Sequence, residues 1–187
     1  MGDELYLPAV SQRRLMEISR HTLERVTRRY PYRAADHDDP HLEKISYGAF
    51  VTLFNQGELR GCIGTCTPST VLREVVMEMT EAAATRDSRV KPVRADELEQ
   101  IHIDISVLSP LQRAQDPLTL EIGKHGLHVA RDRKRGVFLP QVAVEYGWDM
   151  ETFLKQTCRK ANLPSEAWSW PGTVVSTFTA LVIAEER

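Results

Sequence analysis

Ile101, Ile103, Ile105 and Val107 alternate strictly with His102, Asp104 and Ser106, and no other stretch of the chain narrows the possible folds as far. Side chains two apart share one face of a strand, so this segment has an apolar face and a polar one and predicts a half-buried strand. Two further segments read as strand pairs. Gly48 to Phe54 is a short, nearly continuous apolar run of the kind expected in a buried strand. Asn55-Gln56-Gly57-Glu58 is a turn, and Leu59 to Thr65 returns as a second strand. Later, Gly123 and Gly126 bracket a turn into Leu127 to Ala130 and Val137 to Leu139, with Asp132-Arg133-Lys134-Arg135-Gly136 as the hairpin tip. A last strand runs from about Val174 to Ala184. Hairpins of this kind favour an α+β fold, a mainly antiparallel sheet with helices packed on it, over parallel βαβ units.

The helices follow from spacing and caps. After Pro8, with Ser11 as N-cap, Leu15, Ile18, Thr22 or Leu23, and Val26 recur at helical intervals up to Tyr30-Pro31. Residues 31–44 are polar and read as an exposed loop. Thr67-Pro68 opens a second helix, threonine as cap and proline at its first position. Its stripe is Val71, Val75 and Met79 with Leu72, Val76 and Ala83, and it fades near Arg86-Asp87. A short helix fits Gln141 to Tyr146. Another, capped by Asp149, fits Met150 to Ala161 and buries Phe153, Leu154 and Cys158. Residues 109–119 look like loop. No repeat or linker divides the 187 residues, so residues 1–187 read as one domain.

Composition bounds the class. With a formal net charge of −2 and a pI near 6.3, the chain lacks the basic surplus of a dedicated nucleic-acid binder. No apolar run is long enough to span a membrane, and no basic start leads into an apolar stretch, so a cytoplasmic location is expected. Three cysteines at irregular spacing (Cys62, Cys66, Cys158) are not a disulfide framework.

The most chemically loaded segment is Leu59-Arg60-Gly61-Cys62-Ile63-Gly64. Strand spacing sets Arg60 and Cys62 on one face, where a guanidinium favours the thiolate, the nucleophilic form. Gly61 and Gly64 let backbone or ligand approach closely. Thr65 follows directly, and Thr67, Ser69 and Thr70 fall at the expected helix N-terminus, a natural anion site. These residues describe a pocket for a small anionic or carbonyl-bearing ligand beside a reactive Cys62. Cysteine is also among the most buried residue types, so the residues alone leave open whether Cys62 reacts or merely fills the core.

Other constellations are weaker. His37 and His41 lie among aspartates, but a solvated loop is the ordinary reading, and Cys62 with Cys66 lacks zinc-site spacing, so no metal is expected. His102, Asp104 and Ser106 stand roughly 6.5 Å apart per step along a strand, too far to chain as a triad. The Arg131 to Arg135 cluster reads as a solvated hairpin tip. No motif demands a cofactor.

Taken in order, these residues resemble the AMMECR domain family, called AmmeMemoRadiSam system protein A in prokaryotes. The resemblance is carried by Leu59-Arg60-Gly61-Cys62-Ile63-Gly64-Thr65, the preceding strand from Gly48 to Leu53, and Ala82 to Pro92 with its Asp-x-Arg pattern. It continues through Ser106 to Pro110, Glu121-Ile122-Gly123 with Gly126, Leu139 to Ala143, Gly147-Trp148-Asp149, and Cys158 to Ala161 with Leu163-Pro164. It departs at Val90, where the family prefers phenylalanine, at Cys66, and in the His37–His41 loop. The resemblance implies an α+β fold in two unequal, closely joined parts and a cytoplasmic protein. It also implies a gene often placed beside those of a Memo-like protein and a radical-SAM enzyme. It supplies no reaction, but it brings a functional role for the signature cysteine onto Cys62, with Arg60, Gly61 and Gly64 around it. Two expectations follow. One is an enzyme or enzyme subunit acting on a small molecule through Cys62. The alternative is a non-catalytic module binding a protein partner such as a radical-SAM enzyme. Nucleic-acid binding through Arg131 to Arg135 is a minor third.

Overall fold

A computed structural model describes residues 5–30 and 39–186 and divides the chain into two compact units, 1–108 with 181–187, and 109–180. The fold is α+β, with two four-stranded antiparallel sheets and, among the described residues, four α-helices. No helix among these residues is long and apolar enough to cross a membrane.

In the first unit, helix α1 (Ala9–Arg28) precedes strands β1 (Gly48–Asn55) and β2 (Glu58–Thr65). Helix α2 (Leu72–Thr85) and strand β3 (Ile101–Leu108) follow, and the sheet order is β2-β1-β3-β8, with β8 at Ala180–Ala184. Gln56 and Gly57 both have positive φ, which makes the β1–β2 connection a tight two-residue hairpin turn. Alternation then sorts the sheet into two faces. Ala49, Val51, Leu53, Ile103, Ile105, Val107 and Ile183 form one core with Leu15, Ile18 and Leu23 of α1 and Leu72, Val75, Val76 and Met79 of α2. Phe50, Thr52 and Phe54 fall on the opposite face, so β1 alternates instead of being buried on both sides. The register sets Cys62 and Asp104 on either side of Thr52, Gly64 and Ser106 on either side of Phe50, and His102 opposite Phe54.

Both helices of this unit start differently from the sequence expectation. The N-cap of α1 is Pro8, and Ser11 lies inside the helix, where its buried hydroxyl donates to Asp39. Asp39 is itself buried and also takes Arg14, so this part of the 31–44 segment is an anchored turn and not an exposed loop. Helix α2 starts at Leu72, capped by Val71, beyond Thr67-Pro68.

The second unit holds β4 (Gln112–Arg113), β5 (Gly126–Arg131), β6 (Lys134–Phe138) and β7 (Val174–Phe178), ordered β4-β7-β5-β6. Residues 109–119 thus contribute a short edge strand to what reads as loop. The hairpin turn is only Asp132-Arg133, because Lys134 and Arg135 already pair with β5. Helices α3 (Pro140–Glu145) and α4 (Met150–Lys160) follow, and the Asp149 carboxylate accepts from the Thr152 N–H at 2.8 Å. Phe153, Leu154 and Cys158 of α4 pack on Leu127, Val129 and Val175. Gly136 admits α4 closely, since a Cβ there would stand 2.5 Å from the Thr157 carbonyl oxygen. The single strand expected from Val174 to Ala184 is two. Ser109 and Thr179 bond each other at the break, and β8 then enters the first sheet.

Candidate functional site

The 59–65 signature is the edge strand of the first sheet, and each of its residues is fixed by a different device. Between Leu53 and Phe54 the register skips Arg60, leaving it as the extra residue of a β-bulge. A bulge interrupts the two-residue alternation, so the expected pairing of Arg60 with Cys62 on one face does not follow here. The Arg60 guanidinium grips Glu97 instead, with Nε to Oε1 at 2.7 Å and Nη2 to Oε2 at 2.9 Å. It also donates to the carbonyls of Lys91 and Pro92. That pairing, reinforced by the Arg94 N–H, holds the Glu97 carboxyl down at about 2 and pushes the Arg60 guanidinium up.

Gly61 lies where the strand crosses the end of α2, and a Cβ there would overlap the Ala83 carbonyl oxygen. Gly64 lies under the Phe50 ring in the same way. At Cys62 the edge of the sheet is closed by one short segment. The Cys62 N–H donates to Asp87 Oδ2 at 2.9 Å, and the Cys62 carbonyl accepts from Arg89 Nη2 at 2.9 Å. Asp87 and Arg89 are themselves joined by two side-chain bonds, Nε to Oδ1 at 2.9 Å and Nη2 to Oδ2 at 2.7 Å. The Arg89 guanidinium therefore holds the buried Asp87 carboxyl far below the usual carboxylate range, with the N–H groups of Cys62 and Arg89 adding to it. An edge strand whose free N–H and C=O groups are taken in this way is protected from pairing with another chain. The Asp-x-Arg pattern thus has a role that spacing alone does not reveal.

The Cys62 side chain is treated differently from its backbone. It is half-buried and takes a hydrogen bond from the Thr52 hydroxyl at 3.2 Å, on the face turned away from α1 and α2. Across Thr52 on that face stands Asp104. Its Oδ1 is buried and lies 3.3 Å from His102 Nε2 without hydrogen-bond geometry to any partner. The polar face of β3 therefore lines up with the signature thiol, a neighbourhood that the triad test along one strand cannot detect.

The other expected ligand groups are placed less favourably. Thr65 ends β2, with its hydroxyl accepting from the Thr67 N–H at 3.2 Å. Ser69 is exposed in the segment before α2 and is not part of the helix end. At that end the Leu72 and Arg73 N–H groups donate to the carbonyls of Lys44 and Leu42, and those of Glu74 and Val75 to Val71. These amides are engaged, which removes the geometric basis for an anion at the start of α2. Neither Cys66 nor Cys158 forms a disulfide, and burial pushes the Cys158 thiol up. His37 lies outside the described residues. The His41 N–H donates to Asp39, and no group of three or more His, Cys, Asp or Glu among the described residues could hold a metal ion.

This is an α+β protein of two compact units whose signature strand is locked at its edge and carries one half-buried thiol on the sheet face opposite the helices. The AMMECR1 family model matches residues 16–183, and the chain belongs to that family. A protein of Methanothermobacter thermautotrophicus is 39% identical over 180 residues, covering 93% of this chain and 94% of its own. Protein MK0488 of Methanopyrus kandleri is 43% identical over 149 residues, 75% of this chain and 72% of its own. The crystal structure of PH0010 from Pyrococcus horikoshii, described as an uncharacterised protein, is similar at a TM-score of 0.83 and 35% identity. That likeness covers 92% of this chain and 90% of the other.

Proposed function

We propose that the protein acts on a small carbonyl-bearing molecule, with Cys62 as thiolate nucleophile on the face shared with Thr52, Asp104 and His102. One observation carries this reading. Arg60, Gly61, Gly64 and the Cys62 backbone are all consumed by packing or edge closure, whereas the Cys62 sulfur takes a hydrogen bond from the Thr52 hydroxyl and lies beside the Arg89 guanidinium. A donated hydrogen bond stabilises the charged form of a thiol. Attack forms a sulfur–carbon bond and moves the carbonyl electron pair onto oxygen, which takes a proton from water. Asp104 stands across Thr52 from the thiol with His102 Nε2 3.3 Å from its Oδ1, and this pair is the polar neighbour available to the same ligand. Arg60 serves here as a positioning residue that holds 91–97 against the signature strand.

The test is alkylation by iodoacetamide at pH 7, read cysteine by cysteine through peptide mass spectrometry. Cys62 in the folded protein is expected to react about tenfold faster than in the urea-unfolded chain, and Thr52→Val to slow it several-fold. Buried Cys158 stays unreacted. If Cys62 is protected until the protein unfolds, it is core packing and the enzymatic reading fails.

A second reading, a non-catalytic partner-binding module, is favoured by one exposed apolar patch in the second unit. Val144 and Tyr146 are 59% and 67% exposed, and the Tyr146 ring stacks on Trp148 at 4.8 Å. The family resemblance suggests a Memo-like protein or a radical-SAM enzyme as the partner. Cys62→Ser separates the two readings, because it abolishes activity under the first and leaves partner binding intact under the second.

A further inference from the structure

We infer that the second unit carries a binding site for a small aromatic carboxylate, in a cleft at its β4 edge. The cleft has a volume of about 300 Å³, and its walls include Arg113, Pro117, Trp168, Trp170, Pro171 and Val175. It does not involve Cys62 and stands or falls independently of the function proposed above.

Three properties define the ligand. The walls include two tryptophans, two prolines and a valine, side chains that take up a flat apolar ring, with Gln115, Ser169 and Thr173 among them as polar groups. Two donors belonging to wall residues lack an acceptor. The Trp168 indole N–H is buried with no hydrogen-bond partner, and the Arg113 guanidinium makes no ion pair or hydrogen bond among the described residues. No aspartate or glutamate lines the cleft. A guanidinium pairs best with a planar carboxylate, so an anionic group is the acceptor that Arg113 lacks.

The cleft is also pre-shaped. Arg131 Nη1 donates to the Pro171 carbonyl at 2.7 Å and to the Thr173 hydroxyl at 3.1 Å, while its guanidinium lies 5.7 Å over the Trp170 ring. The chain turns there at Gly172, whose φ of +83° suits glycine. Trp168 is anchored from behind, against the core that contains Leu154 and Ala167. Binding therefore needs little ordering of the walls, which leaves more of the contact energy for affinity.

Phenylacetate is the probe, titrated into the full-length ¹⁵N-labelled chain while the three indole N–H resonances are followed. Trp168→Phe assigns the relevant peak. That peak is expected to move saturably with a Kd on the order of 1 mM, as befits a ligand of this size. Phenylacetamide, which keeps the ring and loses the charge, binds roughly tenfold more weakly, as does phenylacetate to Arg113→Gln. Arg113 is exposed, so its replacement leaves the fold intact. The inference is overturned if the Trp168 peak shows no saturable movement up to about 10 mM phenylacetate. It is equally overturned if the amide binds as well as the acid, or if Arg113→Gln leaves the titration unchanged.

Discussion

Gly61→Ala is expected to destabilise the first unit by about 3 kcal/mol, although it adds a single methyl group. The new Cβ would overlap the Ala83 carbonyl oxygen, which is backbone inside the last turns of α2, next to an alanine that is almost fully buried. Such an atom has no rotamer to escape into. Relief requires α2 to lift from β1 and β2, and that opens the core formed by Val75, Val76, Met79, Val51 and Leu53. Gly64→Ala makes the comparison that isolates the cause. Its Cβ would overlap the Phe50 ring at Cγ, so relief needs a new χ1 for a half-buried side chain but no backbone shift, and about 2 kcal/mol is expected. The readout must belong to the first unit. All three tryptophans (Trp148, Trp168 and Trp170) lie in the second, so tryptophan fluorescence would miss the effect. Amide hydrogen exchange along β1 and β3 reports it directly. A loss below about 1 kcal/mol for Gly61→Ala would show that the helix does not sit this close to the strand.

The sequence displays this architecture wherever period and turn chemistry act alone. The alternation from Ile101 to Val107 sets the strand and its buried face, and Gln56-Gly57 sets the first hairpin. Asp149 caps α4 as its side chain predicts. Errors arise where a distant partner overrides a local signal. Thr67-Pro68 is a sound helix start, but α2 begins only where Leu42 and Lys44 offer carbonyls to its first amides. Ser11 is a good cap residue whose hydroxyl is claimed by Asp39, 28 residues away. The apolar run from Val174 to Ala184 gives no hint that it serves two sheets. At the candidate site, the bulge at Arg60 is invisible to any two-residue period, so the partner of its guanidinium could not be named. The alignment of Thr52, Cys62 and Asp104 depends on register across three strands, which no stretch of one strand contains.

Asp87→Asn is expected to cost about 2 kcal/mol at pH 7, and Asp87→Ala about 3 kcal/mol, because a buried acceptor with four donors is weakened or removed. Those donors are the Cys62 N–H, the Arg89 backbone N–H, and the Nε and Nη2 of the Arg89 guanidinium. Arg89 is 59% exposed at its side chain and finds water when released, whereas the Cys62 N–H loses its only described acceptor. The pH dependence follows from the sign of the shifts. The carboxyls of Asp87 and Glu97 both lie below their ordinary values of 3.8 and 4.5 when folded, Glu97 at about 2. Their contribution is therefore complete above those ordinary values and is lost as the pH falls toward the folded ones. Wild type should lose stability steeply below about pH 4.5, while Asp87→Asn, already lacking one charge, loses less, so the two converge in acid. Hydrogen exchange of the Cys62 amide checks the structural half of this claim, since it should accelerate in both variants at neutral pH. Equal stability of wild type and Asp87→Asn at pH 7 would mean that this carboxylate does not hold the edge of the signature strand. The thiol would then owe its position to Thr52 and the sheet register alone.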